Sequence, residues 1–300
     1  MYILTKKYGR LCNRLFSVAH ILALAIEHKH TFANVAFYDY ARYFRVTERD
    51  IFCRYPARKC CAGNYTSMAI VLYYLMYAFS LCVFYLHKLG FGMTWLGVGT
   101  VRFYGDGDDE LVMDENPFLL AKGMTAAHVI CFQGWNMRAY QSLQKHGDKV
   151  RDYFAPTALY QSRVKKYVQQ NRAGCDVLVG VVIRHGDYRT WKDGRYFYSI
   201  ETYAALMKQV ETVFSGKKTK FLICSDEEQD TQIFTSAKIE FCFRSGHMIE
   251  NLYSLAECDY IVSPPSTYGM WASFYGKTPL YTINDPCQII TAAGFSMCEG

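Results

Sequence analysis

Apolar residues open the chain in two rhythms. Tyr2-Ile3-Leu4 is a short continuous run, followed by Lys6-Lys7 and a turn over residues 8–14. Leu15, Phe16, Val18, Ala19, Ile21, Leu22, Ala25 and Ile26 then recur nearly all round a helical wheel, which predicts a buried helix. His28-Lys29-His30 places cations where a helix C-terminus favours them. Residues 31–37 are the next expected strand. Strand, helix, strand is the opening of an α/β unit. Residues 100–120 read as irregular and acidic. Residues 138–170 read as polar helix with a break at Ala155-Pro156. The domain boundary is expected there, giving units 1–155 and 156–300.

The second half alternates more regularly. Residues 177–183 (VLVGVVI) form a β-branched run, as expected of a strand buried on both faces. Ile200, Tyr203, Ala204, Met207, Val210, Val213 and Phe214 keep helical spacing, and Ser215-Gly216 ends that helix. Phe221-Leu222-Ile223-Cys224 predicts a strand, 249–258 a helix, Tyr260-Ile261-Val262 a strand and 268–275 a helix. Such alternation implies a doubly wound parallel sheet, whose ligands bind beyond the carboxyl ends of the strands.

One segment breaks the pattern. Residues 68–86 (MAIVLYYLMYAFSLCVFYL) run without a charge and approach a spanning helix in length. Three readings are open: a buried helix, an element lying on a membrane surface, or a span. A span would put the loops near residue 10 and after residue 180 on opposite sides of the membrane, so it ranks last. The buried helix ranks first; the expected location is the cytoplasm, with peripheral membrane contact through 68–86 as the alternative.

Composition narrows the class. Hydrophobic residues make up 51% of the 300, enough for real cores. The net charge of +6 comes with only doublets such as Lys6-Lys7, Lys165-Lys166 and Lys217-Lys218, so a nucleic-acid partner is not expected. The 12 cysteines include no C-x-x-C pair, which argues for reduced thiols and against structural zinc.

Three loops follow strand ends in the second half. Arg184-His185-Gly186-Asp187-Tyr188-Arg189 sets charges directly after a buried strand, which needs partners or a ligand. Arg184 could meet phosphate oxygens with its planar fork, and Asp187 could orient it. A structural Arg–Asp pair is the alternative. Ser225-Asp226-Glu227-Glu228 reads either as a helix cap with acids in the first turn or as a carboxylate meeting ribose or base. Ser266 and Thr267, after Pro264-Pro265, open a helix whose free N–H groups favour an anion. Gly9-Arg10-Leu11-Cys12-Asn13-Arg14 also opens a helix after a strand, but is neither G-x-G-x-x-G nor a P-loop.

Together these patches resemble the α1,2-, α1,6- and protein O-fucosyltransferase superfamily. Residues 9–16 (GRLCNRLF) are similar to its G-R-L-G-N-Q-L-F opening, and residues 182–188 (VIRHGDY) to its H-x-R-R-G-D-Y motif. Ser225-Asp226 and Ser266-Thr267 through Trp271-Ala272 fall where its later motifs fall. The resemblance implies a GT-B fold of two Rossmann-like domains facing a cleft. It implies GDP-fucose as donor, a glycan hydroxyl as acceptor, inversion at the anomeric carbon, no cofactor and no required metal. It assigns the β-phosphate to Arg184, the diphosphate to Ser266 and Thr267, the nucleoside to Asp226, and donor contacts to Gly9 and Asn13, whose loop would reach over from the acceptor side. Departures are Val182 for the motif's His, His185 for its second Arg, Cys12 for a Gly and Arg14 for a Gln. Asp187, Asp193 and His185 are the nearest candidates for a base. Two other readings stand beside this one. One is a metal-dependent GT-A transferase using Asp106 and Asp108; the other is a non-catalytic transferase-like binding protein.

Overall fold

The computed structural model describes every residue except Arg49, 59–65, 90–96, 105–108 and 117–128. Asp106 and Asp108 therefore lie outside the described residues. The chain divides into two compact units, Met1–Thr157 with Glu299–Gly300, and Ala158–Cys298.

The first unit is built on a parallel sheet in the order β2-β1-β5-β3, with β1 Tyr2–Leu4, β2 Phe32–Asn34, β3 Val98–Tyr104 and β5 Val129–Trp135. A two-stranded ribbon pairs β4 (Leu111–Val112) with β6 (Met137–Arg138). The helix predicted from residue 15 onward is α1, Leu11–Glu27, with its middle wholly buried. It packs on α3, Tyr140–Tyr153, where Lys145 and His146 meet Glu27 at 2.8 and 2.7 Å.

Two expectations for this unit need correction. Val98–Tyr104, expected to be irregular, is a strand. It lies at one end of the described sheet and is buried only at alternate positions, so Gly99, Thr100 and Arg102 do not disqualify it. The apolar segment forms α2, Thr66–Lys88, but is not a buried helix, since only 22% of its apolar window is buried. Ala69, Tyr73, Ser80 and Val83 are buried. Leu72 and Met76 pack on Ile3, Ala33 and Val35, and Gln133 of β5 donates a hydrogen bond to Ser80 Oγ.

The second unit carries a five-stranded parallel sheet in the order β11-β10-β7-β8-β9. Its strands are β7 Val177–Ile183, β8 Thr219–Ser225, β9 Phe241–Phe243, β10 Tyr260–Ser263 and β11 Leu280–Thr282. Every residue of β7 is buried, as its composition predicts. The helices are α4 Ala158–Arg172, α5 Ile200–Val213, α6 Gln232–Ser236, α7 Met248–Ala256 and α8 Thr267–Gly276. Ser199 caps α5 by accepting from Thr202 N at 3.3 Å. Val179, Val181, Ile183, Tyr203, Met207, Val210, Phe221 and Ile223 form its core between sheet and α5. The turn after β8 does not start a helix: α6 begins only at Gln232, so Asp226 and Glu227 are not first-turn acids.

Candidate active site

β7, β8 and β10 are neighbours in the sheet and run parallel, so the loops after Ile183, Ser225 and Ser263 emerge on one edge. Arg184 stands at the centre. Its Nη2 donates to Asp187 Oδ1, its Nη1 lies 3.4 Å from Asp226 Oδ2, and its guanidinium sits 5.0 Å over the Tyr188 ring. The side chain is 18% exposed, and its buried Nε has no acceptor among the described residues. A planar cation at a strand end, braced by two acids, suits an incoming anion.

Asp226 does two jobs at once. Oδ2 faces Arg184 while Oδ1 accepts from the His185 backbone N–H at 2.9 Å. Gly186 leaves room beside it, since a Cβ there would stand 3.2 Å from Asp226 Oδ2, a tight contact. Tyr188 is buried and its hydroxyl donates to the Pro265 carbonyl, which ties the Arg184 turn to the loop that opens α8. Burial pushes the Tyr188 phenol up from its ordinary value. At the start of α8, Ser266 caps by accepting from Tyr268 N at 3.2 Å. Gly269 lets the first turn approach β10, where a Cβ would fall 2.4 Å from Ser263 Oγ. The dipole of that helix N-terminus supplies a second anion-favouring feature.

The other named residues lie elsewhere. His185 is turned inward: it is 6% exposed, its Nε2 donates to the Tyr198 carbonyl at 2.8 Å, and Phe197 packs on its ring. Its Nε2 is therefore a proton carrier already committed to the fold. Asp193 is exposed on the turn beyond Arg189, where Lys192 and Asp193 both hold left-handed backbone with φ of 48° and 57°. Two such residues in succession store strain of the kind found at functional turns. Val182 is buried in β7 and presents no polar atom. Gly9 and Asn13 belong to the first unit. Gly9 has φ +62° and a Cβ there would meet Asn13 Nδ2 at 2.4 Å, so turn and helix start interlock. Arg14 locks the same turn, with Nε donating to the Gly9 carbonyl at 3.1 Å and Nη1 to both Asp39 oxygens at 2.7 and 2.8 Å.

The sequence reading missed a fourth strand-end loop in this half. Arg244 follows β9 as Arg184 follows β7. It pairs with Glu250 at 2.7 Å and lies 4.1 Å over Tyr167. Arg163 reaches the other Glu250 oxygen at 3.0 Å. With Lys166 and Gln170 these residues line an open groove of about 290 Å³. The short run Phe241-Cys242-Phe243 before Arg244 was the available signal. Among the described residues, no three His, Cys, Asp or Glu side chains gather to hold a metal.

Solved structures share this fold. The NodZ fucosyltransferase from Bradyrhizobium matches with a TM-score of 0.55 at 12% identity, covering 96% of this chain and 97% of its own. Arabidopsis thaliana FUT1 in complex with GDP matches with 0.55 at 12%, over 94% of this chain and 70% of that one. POFUT1 in complex with GDP matches with 0.50 at 13%, over 91% and 94%. At these identities the likeness is one of fold, and the chain has the GT-B fold of the fucosyltransferases that its motifs resemble. No family model and no curated protein matches the sequence.

Proposed function

We propose that this chain is a glycosyltransferase that transfers fucose from GDP-fucose, with inversion and without a required metal, to a hydroxyl of a glycan acceptor. One observation carries the reading. Arg184, braced by Asp187 and Asp226, stands beside the capped N-terminus of α8 with its Nε unmet. That pairing suits a diphosphate, and solved structures with this fold hold GDP.

In this reading the sugar departs through an oxocarbenium-like state and negative charge builds on the leaving diphosphate. Arg184 and the N-terminal dipole of α8 stabilise that charge, with Ser266 fixing the turn that opens the helix. Asp226 positions Arg184 and the His185 backbone. Where a base assists the acceptor, Asp187 and Asp193 are the exposed carboxylates near the Arg184 turn. His185 positions that turn through Tyr198. Gly9 and Asn13 enter as donor contacts on the resemblance of their loop alone.

A thermal-shift panel of GDP, UDP, dTDP and CMP, with and without manganese, tests the donor. GDP at 100 times its dissociation constant should stabilise by about 2.7 kcal/mol in the absence of metal. A larger shift with UDP, or a strict manganese requirement, overturns the GDP assignment.

A further inference from the structure

α2 is docked on one side, and most of its outward face is apolar. Met68, Val71, Tyr74, Leu75, Phe79, Tyr85 and Leu86 are 37–63% exposed, and Leu89 just beyond is 72% exposed. These positions recur at three- and four-residue spacing and so form one stripe. A contiguous apolar stripe of this size on a folded surface marks a contact with another phase or partner.

Charge decides which. From Ile51 to Gly105 the chain carries no Asp or Glu, but holds Arg54, Arg58, Lys59, Lys88 and Arg102. On the docked flank of the helix, Lys6 Nζ lies 5.8 Å over the Tyr77 ring and the Arg102 guanidinium 3.9 Å over Phe84, while Lys7, 5.7 Å over Tyr73, is paired with Asp39 at 3.4 Å. Lys88 is exposed at the helix end. A second copy of the chain would bring the same acid-free helix face against itself. A bilayer with anionic headgroups offers both an apolar layer for the stripe and negative charge for the cations. Tyr74 and Tyr85 suit the headgroup level. The docking opposes spanning: Ser80, Tyr73 and Leu72 hold the helix to the first unit through Gln133, Tyr38 and the Ile3 cluster.

We infer that α2 lies in the plane of an anionic lipid surface and holds the protein there peripherally. The test is co-sedimentation of the full chain with vesicles of phosphatidylcholine alone or with added phosphatidylserine. Binding should need phosphatidylserine, weaken in about 0.5 M salt as screening requires, and be released by carbonate. The double variant Leu75→Glu/Phe79→Glu should lose binding about tenfold or more while keeping its GDP-induced thermal shift. Should that variant misfold, Lys6→Gln/Lys88→Gln should reduce the phosphatidylserine dependence with the fold intact. Equal binding to both vesicle types, retention through carbonate, or a solution dimer that never pellets with vesicles would each overturn the proposal. A loss of GDP binding in the wild type would instead strike the donor assignment and leave the vesicle result standing.

Discussion

A guanidinium at the end of a fully buried strand must be matched by acids or by a ligand. Arg184 has both kinds of match available: Asp187 and Asp226 hold it, and its buried Nε still faces no described acceptor. The residue type and its position were readable from the sequence, because β7 ends where its β-branched run ends. The bracing by Asp226 was not readable, since it joins residues 42 positions apart through a strand pairing. Nor was the inward turn of His185, which depends on Tyr198 and Phe197 arriving from the next turn. Arg184→Ala should leave the fold intact and lower transfer roughly 100- to 1000-fold, because its bonds strengthen as charge develops on the leaving group. Arg184→Lys should rescue in part, since an ammonium offers a point charge without the planar fork. Steady-state kinetics alongside a melting curve separates the outcomes. A melted Ala variant makes the Arg–Asp cluster structural, and a folded, fully active one removes Arg184 from the diphosphate site.

At the scale of elements, the periodic helices and the long β-branched run of β7 were legible, whereas β3, β5, β9, β11 and α6 were not. α1, α5 and β7 announce themselves by period and composition. β3 hides because only alternate residues need be apolar, and β9, β11 and α6 are too short to show a period. α1 also carries a feature that its apolar pattern conceals. His20 is fully buried on it, with Nδ1 accepting from the Ala139 N–H at 3.0 Å. Burial, aided by the Arg138 charge, lowers its pKa to about 3. In the unfolded chain a histidine binds its proton near pH 6.5. Between these values the unfolded state holds one more proton, so stability falls as pH drops through about 6.5, by up to roughly 1.4 kcal/mol per pH unit. Above about 6.5 this group contributes no pH dependence. Urea midpoints taken from pH 7.5 to 4.5 should show that decline in the wild type and a shallower one in His20→Gln. Parallel slopes for the two proteins would mean that His20 already titrates normally in the fold.

For the molecule as a whole, the two units differ in how much of their function the chain displays. The second unit repeats strand, charged loop and helix, so its candidate loops stand out in the sequence. The first unit's described sheet joins strands drawn from residues 2 to 135, and β5 between β1 and β3 went unread. Its Gly9–Arg14 turn is held by Asp39 and has no such repeated pattern. Hydrogen exchange on the full chain tests the placement of the nucleotide across all described loops at once. If the diphosphate sits between Arg184 and the start of α8, GDP should slow exchange at residues 184–189, 225–227 and 263–269 together. Tyr188 binds the Pro265 carbonyl and Asp226 binds the His185 N–H, so these segments form one bonded cluster and ordering one orders the others. The strands of the first unit should exchange as before, as should α4 along Arg163 and Lys166 unless the groove beside Arg244 takes part. Protection confined to that groove would move the nucleotide to Arg244 and Glu250. Protection in all three loops with none at the groove would fix the diphosphate at Arg184.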